Sequence, residues 1–403
     1  MSQNVPREFA VVTACCIWPP SERRDQAIRN AIDDAIDWNR VYRIVKRQRV
    51  AGLVNEGLSH VSAPIPPDFV RQIQTMAGKI ARQNMQSAAE SIRIQRLFDA
   101  ADVPLLFLKG TSLAQLAYAN LALKHSWDID ALVMPDDVPK ALQVLAAAGY
   151  HAFPPLPPVT DQRYKRWIKF AREYVLYHET KSVPVELHWK LVENDYFLSG
   201  VCARSPTRMV GITGSAESRT LVEDDLFAYL CVHGATHGWS RLKWLADVAA
   251  LMAGDSAEDA KRRLQAAKKA NAGDCVAQTF LLCDRLFGTP NLAALAQELR
   301  RSRRYRWLED IAFSTMTSGN AETELGHAKF DRVPVMISHF MLGRGRRFAA
   351  SEFRNLANGP FDLLFAEIPN WLGFLYPFFR AALWIKRLGR VRPMPKPPTT
   401  AQE

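Results

Sequence analysis

Two aspartates, Asp128 and Asp130, stand one residue apart at the head of the short apolar run Ile129-Asp130-Ala131-Leu132-Val133-Met134. An apolar run of this length between polar flanks reads as a buried strand. Side chains two apart on a strand point to the same face. Two carboxylates on one face repel each other, and a divalent cation offsets that repulsion by taking both as oxygen ligands. An isolated Asp-x-Asp is more often a cap or a solvated turn, so its neighbours decide what it means.

Three neighbours bear on it. Upstream, residues 103–110 (VPLLFLKG) form another short apolar run ending in Lys109-Gly110. Thr111-Ser112 then reads as the cap of a helix through about Tyr118. Gly110 lets the backbone approach a ligand, and the N–H groups and hydroxyls of a helix start suit phosphate. Downstream, 172–179 and 183–189 alternate around Thr180-Lys181-Ser182, as an antiparallel hairpin does. Glu186 on its second strand would supply a third carboxylate, with His188 two residues later on the same face. Lys124, four residues before Asp128, is a cation placed either for an ion pair with these carboxylates or for a triphosphate.

Around this centre the chain, 403 residues and 48% apolar, is expected to be α+β. Residues 25–46 and 68–100 read as two helices, separated by Pro64, Pro66 and Pro67. Strand, helix, strand, helix and hairpin follow over about 100–190. Asp136 and Asp137 are placed to cap the second of these helices, and Gly149 to end it. Beyond 190 the pattern is helical again, and 221–252 is its clearest stretch. There His233 and His237 are spaced i, i+4, followed by Trp239, Arg241, Trp244 and Asp247. The expected layout is a helical region over 1–100, a core over 101–190, a helical region over 191–390 and a disordered tail over 391–403.

The formal charge of +11 collects late, around Arg300–Arg306, Arg344–Arg354 and Lys386–Arg392. Such an excess suits anionic partners, or simply solvated helix faces. No motif marks a nucleic-acid module, though nucleic acid stays open as a partner. Six scattered cysteines show no paired spacing, which argues against a zinc site and fits a reduced, cytoplasmic setting. No leader is expected at the N-terminus. Residues 368–385 are the most apolar stretch, but Arg380 and Pro377 interrupt it. A packed helix, or one lying on the inner membrane surface through 361–388, suits it better than a span.

LKGTSLAQLAY, KHSWDIDALV and VPVELHW together resemble a family of uncharacterised bacterial nucleotidyltransferases within the DNA polymerase beta-like superfamily, and HGATHGWSRLKWLADV resembles it too. The resemblance covers about 35–260. It implies a small mixed nucleotidyltransferase sheet flanked by helices. It implies a nucleotide site at Lys109, Gly110, Thr111, Ser112 and Lys124, and a metal and catalytic set of Asp128, Asp130 and Glu186. It also implies Mg²⁺ or Mn²⁺ as cofactor, a nucleoside triphosphate as donor, and an acceptor hydroxyl that membership does not name. A small molecule, a sugar, a protein or an RNA end all fit; some family members sit among cell-surface polysaccharide genes, and a toxin-like role that modifies RNA or protein is a sub-case. The family usually has arginine where this chain has Lys124. His188, His233, His237, Arg241 and Asp247 are secondary candidates for contact with nucleotide or acceptor. A non-catalytic nucleotide-binding module, at a membrane surface or free of one, and a phosphodiester hydrolase are the alternative readings.

Overall fold

The computed structural model describes residues 5–152, 156, 162–322 and 333–357; the apolar stretch 361–388 and the tail 391–403 lie outside them. Five helices come first: α1 (Arg7–Cys15), α2 (Glu22–Ala31), α3 (Trp38–Gln48), α4 (Ala51–Ser59) and the long α5 (Pro67–Ala100). The single helix expected over 25–46 is broken. Ile32 turns extended, Asp33 accepts a bond from the Ala35 amide, and Asp37 accepts from the Asn39 and Arg40 amides to start α3. Short acidic side chains that bond the local backbone compete with helix continuation.

A central unit follows, made of β1 (Leu106–Phe107), α6 (Gly110–Tyr118), β2 (Ile129–Leu132), α7 (Val138–Ala147), β3 (Tyr150–Ala152), α8 (Gln162–Phe170), β4 (Glu173–His178) and β5 (Val185–His188). Its five strands run in the order β1-β2-β5-β4-β3. The β2–β5 pair is parallel and the others antiparallel. The fold is therefore α+β with a small mixed sheet, as expected.

The period of two sorts this sheet cleanly. Ile129 and Ala131 of β2, with Val185 and Leu187 of β5, point into an apolar cluster with Ile94 and Phe98 of α5, Leu145 of α7 and Trp167 of α8. The alternate positions, Asp130, Glu186 and His188, are left for the opposite face.

Two further strands, β6 (Thr207–Thr213) and β7 (Ala216–Leu221), form a hairpin that the sequence pattern did not disclose. The hairpin lies against β1: Thr220 donates to the Phe107 carbonyl, and α5 clamps it through Gln95, which bonds the Glu217 carbonyl and the Arg219 amide.

The remaining helices are α9 (Glu223–Thr236), α10 (Leu242–Leu251), α11 (Ala257–Lys269), α12 (Gly273–Phe287), α13 (Ala293–Leu299), α14 (Arg303–Met316), α15 (Val333–His339) and α16 (Gly345–Ala357). The helical stretch read over 221–252 is thus two helices. Gly238 and Trp239 take φ of 60° and 50°. The Gly238 amide bonds the Ala235 carbonyl, and the Trp239 amide bonds the Gly234 carbonyl. That pair of bonds is a Schellman stop, and it turns α10 back across the end of α9. Phe9, Val41 and Ile44 from the N-terminal helices share one apolar core with Phe227, Leu245 and Phe280 from the later ones. Among the described residues no helix is long and apolar enough to cross a membrane.

Candidate active site

Parallel pairing of β2 with β5 sets Asp130 directly beside Glu186 and Leu132 beside His188. Antiparallel pairing of β5 with β4 sets Glu173 across from His188. Asp130, Glu186 and His188 each offer a ligand atom within 4.8 Å of the other two. Asp128 precedes the strand by one residue, and its carboxylate is not one of these converging groups. It feels their charge all the same. Burial, then repulsion from Asp130 and Glu186, raise its pKa to about 7.

Asp130 is almost fully buried and is held by two cations. Lys109 Nζ lies 2.8 Å from its Oδ1, and His188 Nε2 lies 3.2 Å from the same atom. Burial disfavours its charge, but these two partners hold its carboxyl well below the usual range. His188 is itself buried among carboxylates, with Glu173 3.1 Å from Nδ1 and Glu186 3.6 Å from Nε2. Burial alone would lower its pKa; the three acids outweigh that and raise it to about 9, so the ring carries its proton at neutral pH.

The Lys109-Gly110 turn behaves as read, with Gly110 at φ 64° opening α6. The hydroxyls that follow do not. Thr111 and Ser112 lie inside the first turn of α6, both buried, and neither caps it. Ser112 Oγ is committed to Ser218 Oγ of β7 at 2.7 Å, which ties α6 to the hairpin.

Lys124 also departs from its expected place. Its buried ammonium sits 3.4 Å from Asp247 of α10, not against the three carboxylates. Tyr118 donates to the other oxygen of Asp247 at 2.9 Å. Lys124, Asp247 and Tyr118 therefore bind α6, α10 and the strand's lead-in together.

The break between α9 and α10 rearranges the secondary candidates. His233 is on α9 and His237 is its C-cap, so the two rings meet edge to face at 4.6 Å instead of lining one long helix. Trp244 packs against both at 5.4 and 5.3 Å, and Arg241 lies over Trp244 at 5.8 Å. Burial, followed by nearby Lys109, Arg172 and their neighbours, keeps both imidazoles neutral; His237 falls to about 3. Among the described residues no third ligand joins this histidine pair. Trp239 is instead fully buried, its indole N–H bonded to Gln278 at 3.1 Å.

Several residues escaped the sequence reading. Glu173 was legible in principle, because hairpin register places it opposite His188. Tyr229 of α9, fully buried, brings its hydroxyl under Lys109 and Asp130 with no hydrogen-bond partner among the described residues. Lys243 of α10 lies near Asp128. Burial and the neighbouring Lys124 and Arg49 lower its pKa to about 7.

The donor set suits a hard divalent cation. Carboxylate oxygens are the ligands such ions prefer, and Asp130 and Glu186 offer them within 4.8 Å of each other. Among curated proteins, none matches the chain. Residues 34–288 match the model of a family described as uncharacterised nucleotidyltransferase, a span that takes in the sheet, the carboxylates and the α9–α10 corner. On that match the chain belongs to the uncharacterised nucleotidyltransferase family.

Proposed function

We propose that the protein transfers a nucleoside monophosphate from a nucleoside triphosphate to an acceptor hydroxyl, with Mg²⁺ or Mn²⁺ held by Asp128, Asp130 and Glu186. The observation that carries this reading is the register of β2 and β5, which sets Asp130 and Glu186 side by side on one rigid face. A cation bound there supplies charge stabilisation at the transferring phosphoryl group and acidifies the acceptor hydroxyl.

The chain's own residues do the remainder. Glu186, partly exposed, takes the proton of the acceptor hydroxyl as its oxygen attacks the α-phosphorus. The bond from that phosphorus to the bridging α–β oxygen breaks, and pyrophosphate leaves. Protonated His188 anchors Asp130 and Glu186 from behind, and Glu173 fixes its ring. Lys109 holds Asp130 ionised until the substrate arrives.

The Lys109–Asp130 pair also favours a second reading. A module that binds nucleotide without turnover would keep such an internally neutralised carboxylate. Pyrophosphate release separates the two. Each of the four NTPs is offered with Mg²⁺ or Mn²⁺ and a panel of hydroxyl acceptors, to wild type and to Glu186→Gln. Metal-dependent release that the substitution abolishes supports transfer. Binding of NTP with no release across the panel supports the module, and release with water as the only acceptor would point to hydrolysis.

A further inference from the structure

Nucleotidyl transfer needs a resting place for the donor's β- and γ-phosphates, and the hydroxyls of the Gly-Thr-Ser turn do not provide it. Ser112 is bonded to Ser218, and Thr111 is buried in α6. A different set of groups next to Asp128 is unmatched. Lys243, in the first turn of α10, has one side-chain hydrogen bond among the described residues, from Nζ to the His125 carbonyl at 3.3 Å. No carboxylate of the described residues lies within salt-bridge distance of it; the nearby Asp247 is taken by Lys124 and Tyr118. After burial, the cations Lys124 and Arg49 act on it most strongly, and the carboxylates Asp128 and Asp247 offset them in part. A buried ammonium with a single long hydrogen bond keeps donors free for an anion.

The second observation is independent of the first. Ser126 is 3% exposed, and its hydroxyl has no hydrogen-bond partner among the described residues. Buried polar atoms without a partner are rare and ask for a ligand or water. Ser126 directly follows His125, whose carbonyl Lys243 holds, and it stands two residues before Asp128. His125 is driven to a pKa of about 3 by burial and by Lys243, Arg49 and Lys124, so its ring stays neutral and adds no competing positive charge.

We propose that Lys243 and Ser126 form the polyphosphate site of the donor nucleotide, delivered from α10 and the lead-in to β2 rather than from the α6 turn. This rests on the transfer reading for its placement beside Asp128. The site itself is a claim about binding, and it can be tested without turnover.

Inorganic tripolyphosphate is the probe, because it carries no base. Its affinity for the full chain is measured by titration calorimetry with Mg²⁺ present, alongside that of the NTPs and NMPs. Lys243→Met and Ser126→Ala should each weaken tripolyphosphate and NTP binding, the lysine by roughly ten- to hundredfold, while NMP binding changes little. Lys243→Arg should retain most of it. Arg346→Ala, in the exposed basic cluster of α16, should leave it unchanged. Without any anion, Lys243→Met should melt close to wild type, because the lysine's hydrogen bond to the His125 carbonyl is long; a lysine that merely holds the fold would lower the midpoint. Three results overturn the proposal: no tripolyphosphate binding by wild type, equal loss of NMP and NTP binding in Lys243→Met, or equal loss in Arg346→Ala. Lys243-dependent binding without pyrophosphate release would sink the transfer reading and leave this site standing. Release with an unchanged KM for NTP in Lys243→Met would do the reverse.

Discussion

Lys109 Nζ lies 2.8 Å from Asp130 Oδ1, so the central carboxylate of the candidate site is bound to a lysine of the same sheet's opening turn. The two aspartates of one short motif are thereby made unlike. Asp130 is locked and ionised, whereas burial and then the charge of Asp130 and Glu186 work against ionisation of Asp128.

Their substitutions should part accordingly. Asp130→Asn leaves Lys109 buried without its counter-ion and should cost about 3–5 kcal/mol of stability. Asp128→Asn removes a repelled charge and should melt at or above the wild-type midpoint in the absence of divalent cations, while losing at least about 100-fold in pyrophosphate release. Mg²⁺ or Mn²⁺ should raise the melting midpoint of the wild type and have far less effect on Asp128→Asn. Equal cation-induced shifts in both would remove Asp128 from the metal set.

Lys124→Met tests the buried Lys124–Asp247 pair. Both side chains are nearly inaccessible, so the orphaned Asp247 keeps only Tyr118, and the loss should be about 3–5 kcal/mol in chemical denaturation. A neutral result would mean that Lys124 is placed for ligand and not for the fold.

Gly52 of α4 abuts the segment that leads into β2. A Cβ there would stand 2.4 Å from the Leu123 carbonyl oxygen and 2.9 Å from that of Ala122, both backbone atoms that cannot swing aside. Gly52→Ala should cost about 1–3 kcal/mol and also lower activity, because the strained segment carries Ser126 and Asp128. Unfolding and pyrophosphate release measured on the same preparation check both halves.

The packing of α15 against α9 and α16 should depend on pH. His339 Nε2 donates to the Thr236 carbonyl at 2.8 Å, and Nδ1 faces Glu352 at 3.3 Å; Asn194 also donates to Glu352. Burial opposes the His339 charge, but Glu352 outweighs it and raises its pKa. Glu352, opposed by burial and favoured by His339 and Asn194, is lowered. The histidine's contribution is complete below its unfolded value and fades as pH rises through the raised one. The glutamate's is complete above its unfolded value and fades as pH falls through the lowered one. Protection of the α15 and α16 amides, taken relative to their intrinsic exchange rate at each pH, should therefore be greatest between about pH 5 and 6.5. His339→Gln should flatten the alkaline limb; an unchanged limb would refute the assignment.

Much of the site was legible because it depends on short-range rules. The period of two turned Asp130 away from the apolar cluster that holds Ile129 and Ala131, and the alternation around Thr180-Lys181-Ser182 produced the β4–β5 hairpin with Glu186 and His188 aligned. What failed did so for local reasons that periodicity does not register. The Asx turn at Asp33 and the Schellman stop at Gly238 each cut an amphipathic stretch in two. The β6–β7 strands went unseen because β6 exposes alternate positions such as Thr207, Met209 and Gly211 without a strong apolar face.

The sequence alone determined the alternation that turns Asp130, Glu186 and His188 away from the apolar cluster, and the strand–turn–helix that precedes them, since these follow from spacings of two to four residues. Only the tertiary structure decided which cation meets which carboxylate. Lys109 and Lys124 are both plausible partners of Asp130 in one dimension. The parallel pairing of β2 with β5 and the crossing of α10 over α6 give the first to Asp130 and the second to Asp247. The same crossing brings Lys243, more than a hundred residues away in the chain, to the edge of the site. Coulomb energies depend on distance through space, and that distance is set by packing of the whole chain.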